Sequence, residues 1–150
     1  MQAIINKQAH FSYEIMDAFE AGIILRGHEV KAVKNGQLSL KSAYVSIAYE
    51  PEPSLYLIKA HISQYKFAGN LMNYDPERPR KLLIKKNELK TLIGKLQQKG
   101  LTIIPLRVYT KRNLVKVEIG LARGKKLFEK KEAKKLKDVD REIRRTLKNQ

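Results

Sequence analysis

The spacing of apolar residues predicts two long strands in the first third of the chain. Between residues 13 and 25 the odd positions are apolar with one exception, Asp17, which is the period of a half-buried strand. Several helix-forming residues make a helix the alternative there, but the β-branched residues and Gly22 favour a strand. Residues 38–49 alternate in the same way, so we predict a second strand there.

Strong turn signals separate the strands that follow. The stretch EPEPS forces a turn, because its two prolines cannot both sit in a strand ladder, and LYLIKAHI is the predicted returning strand of an antiparallel pair. RKLLIKK has an apolar centre between cations and predicts another buried strand. The segments LTIIPLRVY and LVKVEIGLA flank TKRN, which predicts a hairpin.

Two short helices are predicted between these strands. RGHEVKAVKNG fits about two turns that stop at Asn35-Gly36, because glycine readily ends a helix. The second helix is predicted to be capped by Asn87 and to end at Gly100, with an apolar stripe formed by Leu89, Leu92, Ile93 and Leu96. The stretch QYKFAGNLMNYDPERPRK is a predicted loop, broken by Gly69, Pro76 and Pro79.

Together these elements predict a mainly β fold with interposed helices. About six strands, mostly antiparallel and joined by tight turns in so short a chain, favour closure into a small barrel that hides its edges. An oligonucleotide-binding-like (OB-like) antiparallel β-barrel is the nearest common architecture. We assign residues 1–123 to this domain and residues 124–150 to a separate C-terminal tail.

The tail is highly charged and has little apolar surface. Eleven of its 27 residues are Lys or Arg and five are Asp or Glu, and its apolar stripe consists of Leu136, Val139, Ile143 and Leu147. Burial of this stripe offsets too little of the cost of ordering about 20 residues at roughly 1–2 kcal/mol each. We therefore expect a tail that is disordered when free and helical when bound; the alternative is a helix packed on its own barrel.

Net charge narrows the class of partner. The chain has 31 basic and 15 acidic residues, a formal charge of +16, and residues 1–123 carry +10 of it. Such an excess weakens the folded state through self-repulsion unless an anion neutralises it. Nucleic acid, anionic membrane and acidic protein are the candidate anions.

Several classes of site and location are disfavoured. The chain has no cysteine, which excludes disulfides and thiolate metal sites, and His10, His28 and His61 lack the spacing of zinc ligands. We therefore expect neither a metal nor a cofactor. The N-terminus has no apolar signal region and no stretch approaches about 18 apolar residues, so we expect a cytoplasmic protein that does not bind membranes.

Candidate catalytic residues are few. A P-loop, GxSxG and HExxH are missing from the sequence, so we do not expect an enzyme. Glu14, Asp17 and Glu20 occur close together and suggest paired carboxylates. In so basic a protein, however, such residues are more often ion-pair partners of nearby cations.

Basic and aromatic residues in the predicted loop favour nucleic acid as the anion. ERPRKLLIKK concentrates five cations, which attract phosphates regardless of base sequence: Arg78, Arg80, Lys81, Lys85 and Lys86. Just upstream lie three aromatic residues that are available to stack on unpaired bases, namely Tyr65, Phe67 and Tyr74. The alternative is a solvated charged surface.

Six motifs in order along the chain resemble those of the SsrA-binding protein family. They are NKQAHFSYEI, FEAGIILRGHEVKAVKNG, NYDPERPRKLLI, LTIIPLRVY, VKVEIGLARGKK and DREIRR, and they are spread over nearly the whole length of the chain. The resemblance implies an antiparallel barrel that grips the tRNA-like domain of transfer-messenger RNA. It also implies a tail that forms a helix in the empty mRNA path of a stalled ribosome, near the decoding centre.

The resemblance further implies partners and site residues. It suggests a non-enzymatic, monomeric adaptor for rescue by trans-translation, with elongation factor Tu as an indirect partner through the charged RNA. The family positions that bind transfer-messenger RNA match Asn6, Glu20, Leu83 and Lys116, and we add the cations Lys31, Arg80 and Lys81 as expected contacts. The expected ribosome-binding residues of the tail are Gly124, Lys125, Lys126, Glu129, Lys130 and Lys131. By sequence alone Leu83 is a core residue and Glu20 a structural ion-pair partner.

Three departures from the family pattern and two rival functions complete the prediction. Lys131 stands where the family has Arg, which loses a planar bidentate donor, and His28 and Ala32 replace commoner residues. A ribosomal protein with a basic extension into rRNA is the first rival function. An enzyme that acts on RNA is the second, and the missing catalytic motifs disfavour it.

Overall fold

The computed structural model describes residues 1–69 and 73–125, together with Arg141. Helices and strands alternate along the chain in the following order: β1 (Ile4–Ile5), α1 (Lys7–Ser12), β2 (Tyr13–Ile23), α2 (Gly27–Lys34), β3 (Leu38–Ser39), β4 (Tyr44–Ala48), β5 (Ser54–Ile58), β6 (His61–Ile62), β7 (Arg80–Leu83), α3 (Lys86–Leu96), β8 (Leu101–Lys111) and β9 (Leu114–Gly124).

Within the described residues, six strands form a ring. Their order is β8-β4-β5-β7-β2-β9, and β9 pairs again with β8. Every pairing is antiparallel; β1 pairs with β8 at Arg107 and Val108, and β3 and β6 form a separate two-stranded sheet. The predicted mainly β fold with six principal strands and interposed helices is therefore confirmed.

The element boundaries differ from the predictions in several places. Two predicted strands are each broken by a residue in the left-handed region, Ser42 (φ 66°) and Lys59 (φ 60°), so each becomes a short strand and a longer one. The predicted cap Asn87 is wrong: α3 begins at Lys86 after Lys85, which makes no side-chain capping bond. The predicted stop at Gly36 is confirmed, and its φ of +78° explains the glycine.

The hairpin between β8 and β9 is tighter than predicted. Its two turn residues, Arg112 and Asn113, have φ angles of 53° and 64°, as a two-residue primed turn requires. Thr110 and Lys111 therefore belong to β8, and both strands reach 11 residues. Polar side chains of this long hairpin therefore lie along the outer face of the ring.

Two apolar clusters lie on opposite faces of this hairpin. The main core contains fully buried side chains from the ring strands, among them Leu55, Leu57, Ile103, Val117 and Ile119. The smaller cluster lies under α1, an element that the sequence patterns did not predict, and consists of Ala9, Ile104, Leu106 and Ala122. Because α1 covers the outer face at one end of the hairpin, the outer face at the other end stays exposed to solvent.

A buried carboxylate on α2 holds the longest loop against the ring. Glu29 is fully buried and receives the Nε and Nη2 groups of Arg80, at 3.0 and 2.6 Å from Oε2. Its other oxygen accepts hydrogen bonds from Arg78 and from the backbone N–H of Arg26, at 2.9 Å in the second case. The hydroxyl of Tyr74 also lies 3.3 Å from Oε2. We call these residues the Glu29 network.

The Glu29 network keeps its carboxylate ionised. Burial alone would raise the pKa of Glu29, but hydrogen bonds from Arg78, the Arg26 N–H and Arg80 outweigh burial and lower the pKa from 4.5 to about 2. The folded state therefore gains stability from this group above pH 4.5. That gain is lost progressively as the pH falls from about 4.5 towards 2.

We predict that Glu29→Gln lowers the free energy of unfolding near pH 7 by about 3–5 kcal/mol, because it leaves two buried or half-buried arginines without their anion. The difference from wild type should shrink as the pH falls from 4.5 towards 2. Urea unfolding across this pH range measures both effects. Glu14→Gln is the control, since its ion pair with Arg123 is about half exposed on both sides and should contribute about 0–1 kcal/mol. A pH-independent difference for Glu29→Gln would contradict the prediction.

Candidate nucleic-acid interface

The ladder of the ring brings three predicted site residues together around one glycine. Gly22 of β2 pairs with Leu83 of β7 on one side and with Lys116 of β9 on the other. A Cβ at position 22 would lie 3.5 Å from the Cβ of Leu83 and 3.8 Å from Nζ of Lys116. Glu20 lies two residues earlier on the same strand and therefore on the same face. We call this surface, with Tyr109 and Lys111, the Glu20 face.

Leu83 lies on the surface and not in the core. Along β7 the side chains alternate between buried and exposed, so that Arg80 and Leu82 are buried while Lys81 and Leu83 are exposed. Leu83 is 53% exposed, which makes it an apolar contact point in a polar surface. Its interpretation as core was wrong because the apolar centre of RKLLIKK gave no sign of which leucine faces outward.

Glu20 is held in place by the hairpin that faces it. The hydroxyl of Tyr109 donates to Oε2 of Glu20, and Nζ of Lys111 lies 3.5 Å from Oε1. These contacts lower the pKa of Glu20, the hydrogen bond from Tyr109 most of all. Burial and the same hydrogen bond raise the pKa of Tyr109 to about 12. At neutral pH Glu20 is therefore an exposed carboxylate anion, held in position by the hydroxyl of Tyr109.

Arg107 contacts the ring of Tyr109 and forms a second ion pair, with Glu118. Cζ of Arg107 lies 4.6 Å from the centre of the Tyr109 ring, and Nη2 of Arg107 lies 3.1 Å from Oε2 of Glu118. Glu118 itself stands opposite Glu20 in the ladder between β2 and β9. Arg107, Tyr109 and Lys111 were not singled out in the sequence. Their alternation along the second half of LTIIPLRVYTK was the available signal, because every second residue of a strand shares one face.

Asn6 has a structural role at the start of α1. Its side chain caps α1, with Oδ1 accepting from the N–H of Ala9 at 3.2 Å and Nδ2 donating to the carbonyl of Pro105 at 2.8 Å. Its backbone N–H also donates to Leu106. With 8% exposure and both polar ends of the side chain occupied, Asn6 offers little to an RNA. It fixes the bulged stretch of β8 just before Arg107.

Arg80 does not fit its prediction as an RNA contact. Its side chain is fully buried, and beyond Glu29 its Nη1 donates to the carbonyl of Ala60 at 2.7 Å. Arg78 is likewise directed to Glu29, so two cations of the predicted basic cluster serve the fold. Lys81 remains exposed on the outer side of β7, and Lys31 is exposed on α2. Of the four cations in this paragraph, only the two lysines are therefore available to phosphates.

The other carboxylates of β2 are engaged in ion pairs. Oδ2 of Asp17 lies 2.9 Å from Nζ of Lys95, a hydrogen bond that lowers the pKa of Asp17, and Oε2 of Glu14 lies 2.5 Å from Nη2 of Arg123. The interpretation of these carboxylates as ion-pair partners is confirmed. Across residues 1–69 and 73–125, three or more His, Asp or Glu side chains do not come together as metal ligands. Likewise, no helix in this part of the chain is long and apolar enough to cross a membrane.

The tail joins the ring at the end of β9. Gly124 pairs with Tyr13 in the ladder, and the N–H of Lys125 donates to the carbonyl of Ser12 at 2.9 Å. Nζ of Lys125 reaches the carbonyl of His10 at 3.2 Å. The paired segment thus extends two residues beyond the predicted boundary at residue 123. Four predicted tail positions lie outside the described residues, namely Lys126, Glu129, Lys130 and Lys131.

We predict that Tyr109→Phe raises the pKa of Glu20 towards its ordinary value, because the phenol hydrogen bond is the largest cause of its depression. Lys111→Ala should raise the pKa less, since that lysine contributes after Tyr109. NMR titration of the Glu20 carboxyl carbon between pH 2 and pH 7 measures both shifts. A larger effect of Lys111→Ala would show that charge and not the phenol holds this carboxylate.

Comparison with known proteins shows a match along almost the whole chain. The model of the SmpB protein family matches residues 3–149. An SsrA-binding protein of Cupriavidus pinatubonensis is 48% identical over 143 residues, covering 95% of this chain and 93% of the relative. One from Trichodesmium erythraeum is 45% identical over 143 residues, covering 95% and 90%. One from Enterococcus faecalis is 45% identical over 144 residues, covering 96% and 91%.

A solved structure agrees with these relatives. A chain from the work described as "tmRNA-SmpB: a journey to the center of the bacterial ribosome" is 43% identical to this protein, with a TM-score of 0.66. The match covers 83% of this chain and 85% of that chain. With a family model matched from residue 3 to residue 149 and relatives near 45% identity over their length, this chain belongs to the SsrA-binding protein (SmpB) family.

Proposed function

We propose that this protein is a non-enzymatic adaptor that binds the tRNA-like domain of transfer-messenger RNA and delivers it to stalled ribosomes for trans-translation. The observation that carries the proposal is the meeting of Glu20, Leu83 and Lys116 around Gly22. These residues come from three strands, and three of the positions expected from the family share one exposed face. Membership of the family and a relative described with tmRNA and the ribosome support the proposal.

The Glu20 face combines three kinds of contact that a folded RNA offers. Lys116 and Lys111, together with the exposed Lys81 beside this face on β7, attract phosphates without regard to base sequence. Leu83 supplies an exposed apolar surface beside them. Glu20 accepts hydrogen bonds from base amino groups or from 2′-hydroxyls, which cations cannot do, and so fixes how the RNA lies. A carboxylate held rigidly by Tyr109 loses little freedom on binding.

The tail supplies the contact with the ribosome in this proposal. Its cations would occupy the empty mRNA path near the decoding centre, where the rRNA neutralises a charge of +6. Gly124 and Lys125 tie the start of the tail to Tyr13 and Ser12, so the tail leaves from the end of the ring near α1. Lys126, Glu129, Lys130 and Lys131 are the proposed contacts with the ribosome.

The remaining partners follow from the same mechanism. A monomer carries one RNA, and elongation factor Tu takes part indirectly by holding the charged acceptor end of that RNA. Because delivery of an RNA to bacterial ribosomes takes place in the cytoplasm, a cytoplasmic location is part of the proposal. The proposed activity is binding and delivery, and it requires neither a metal nor a cofactor.

We predict that Glu20→Ala weakens binding to the tRNA-like domain by about tenfold or more, because charge-assisted hydrogen bonds to the RNA are lost. Glu14→Ala is the matched control: it removes the same charge from the same strand, away from the Glu20 face. Both variants become more basic, so general electrostatics would strengthen RNA binding in both. Gel shifts with the tRNA-like domain and with an unrelated duplex of equal length separate the two effects. Equal losses on both RNAs would make Glu20 structural and would contradict the proposed interface.

We predict that truncation after Lys125 leaves binding to the tRNA-like domain largely intact and abolishes ribosome rescue. The cut keeps the ladder through Gly124, the hydrogen bond to Ser12 and the whole Glu20 face. Gel shifts measure binding, and tagging of a nascent chain on a stop-less message in reconstituted translation measures rescue.

A pair of double variants controls for charge in the tail experiment. Lys130→Ala with Lys131→Ala should impair tagging, whereas Lys90→Ala with Lys99→Ala removes equal charge from exposed positions of the ring domain and should not. Persistent tagging by the truncated protein would contradict the proposed role of the tail in the mRNA path. The tail would then serve only as an electrostatic tether in the full-length protein. Loss of binding and tagging together would mean that the tail contributes to the RNA-binding domain.

A further inference from the structure

A turn in the loop after β6 presents an aromatic side chain to solvent. The N–H of Ala68 donates to the carbonyl of Tyr65 at 3.0 Å, and Nε2 of Gln64 donates to the carbonyl of Gly69 at 2.8 Å. These bonds close residues 64–69 into a turn, which we call the Phe67 turn. Phe67 is 73% exposed, although burial of so large an apolar side chain would stabilise the fold.

The neighbours of Phe67 have complementary chemistry. Its ring contacts that of Tyr65 edge to face, with centroids 5.6 Å apart, and Tyr65 is anchored against the main core. Nζ of Lys66 lies 5.0 Å from the centre of the Phe67 ring, and Nζ of Lys31 lies 5.7 Å from that of Tyr65. The aromatic pair thus carries one ammonium group against each ring, and Tyr65 holds the turn against the core.

The Phe67 turn is also fixed relative to α2. Lys31 lies on α2, and Glu29 of the same helix binds Arg78, Arg80 and Tyr74 from the far end of the loop. Both ends of the loop are therefore attached to the body, at Tyr65 and through the Glu29 network. The elements that carry this patch differ from β2, β7 and β9, which carry the Glu20 face.

We propose that the Phe67 turn is a second RNA contact, which stacks one unpaired base on Phe67 and binds the adjacent phosphates with Lys31 and Lys66. Aromatic side chains flanked by cations are the surfaces on which single-stranded nucleic acids stack. An exposed lysine–aromatic contact is weaker than a base–aromatic stack, so an arriving base displaces Lys66 from the ring. The freed ammonium group then neutralises a phosphate of the same strand. This inference deepens the proposed function and rests on it only for the identity of the RNA.

A tryptophan reporter tests the inference directly, because the chain contains no tryptophan. Phe67→Trp is titrated with single-stranded hexaadenylate and with a six-base-pair RNA duplex. Stacking of an unpaired base should quench the fluorescence with the single strand and not with the duplex. Tyr49→Trp is the matched control, since Tyr49 is 61% exposed and lies beside the acidic turn between β4 and β5. Equal quenching at both positions, or equal quenching by both RNAs, would overturn the inference.

Substitutions that separate stacking from hydrophobicity complete the test. Phe67→Leu should weaken binding of hexaadenylate by about fivefold or more, whereas Phe67→Tyr should leave it unchanged. Equal affinities for the two variants would overturn the inference. Vesicles of phosphatidylglycerol test the other anion that a basic aromatic patch can meet: a blue shift of Trp emission with vesicles, and no quenching by RNA, would assign the patch to membranes instead.

Failure of the inference about the Phe67 turn can be distinguished from failure of the proposed function. Hexaadenylate has no tRNA-like fold, so quenching at position 67 does not depend on recognition by the Glu20 face. Discrimination by Glu20→Ala with no effect at Phe67 would overturn only the second contact. The reverse pattern would overturn the Glu20 face and keep the Phe67 turn.

Discussion

The buried ion pair between Glu29 and Arg80 is the constraint on which both proposed RNA surfaces depend. It turns Arg80 inward, and because side chains alternate along a strand, Lys81 and Leu83 then face outward. The same carboxylate receives Arg78 and Tyr74 and so attaches the far end of the long loop to α2. Loss of one partner would leave a charge buried without compensation, which is far more costly than the loss of an exposed pair.

Two carboxylates of this basic protein illustrate opposite uses of negative charge. Glu29 is hidden and neutralises arginines that would otherwise repel each other inside the fold. Glu20 is exposed and faces Glu118 across the ladder, an arrangement that is unfavourable by itself. The hairpin compensates for both: Tyr109 and Lys111 contact Glu20, and Arg107 contacts Glu118. The result is an acceptor in a cationic surface, through which the proposed interface would recognise RNA geometry beyond simple attraction.

The two surfaces differ in what they can recognise. The Glu20 face lies on paired strands, whose ladder fixes the spacing of its side chains, and it suits a folded RNA of defined shape. The Phe67 turn is a small platform on a loop and suits a single unstacked base. Recognition of shape at one surface and of an unpaired nucleotide at the other would select an RNA that offers both features at once. Attraction by a charge of +16 alone would not distinguish such an RNA from any other.

Period-2 patterns in the sequence determined the main strands, the hairpin and the mainly β class, because strands buried on one face must alternate. The Asn35-Gly36 stop was equally local and was predicted. The strand breaks at Ser42 and Lys59 were not predicted, because neither residue type by itself marks a left-handed backbone. Charge and motifs indicated RNA, but only the tertiary structure separated the cations: Arg80 pairs with a carboxylate 51 residues away, whereas Lys81 beside it stays exposed. Leu83 moved from predicted core to surface for the same reason. Which side of a strand faces the core depends on the elements packed against it, and the chain order of residues does not contain that information locally.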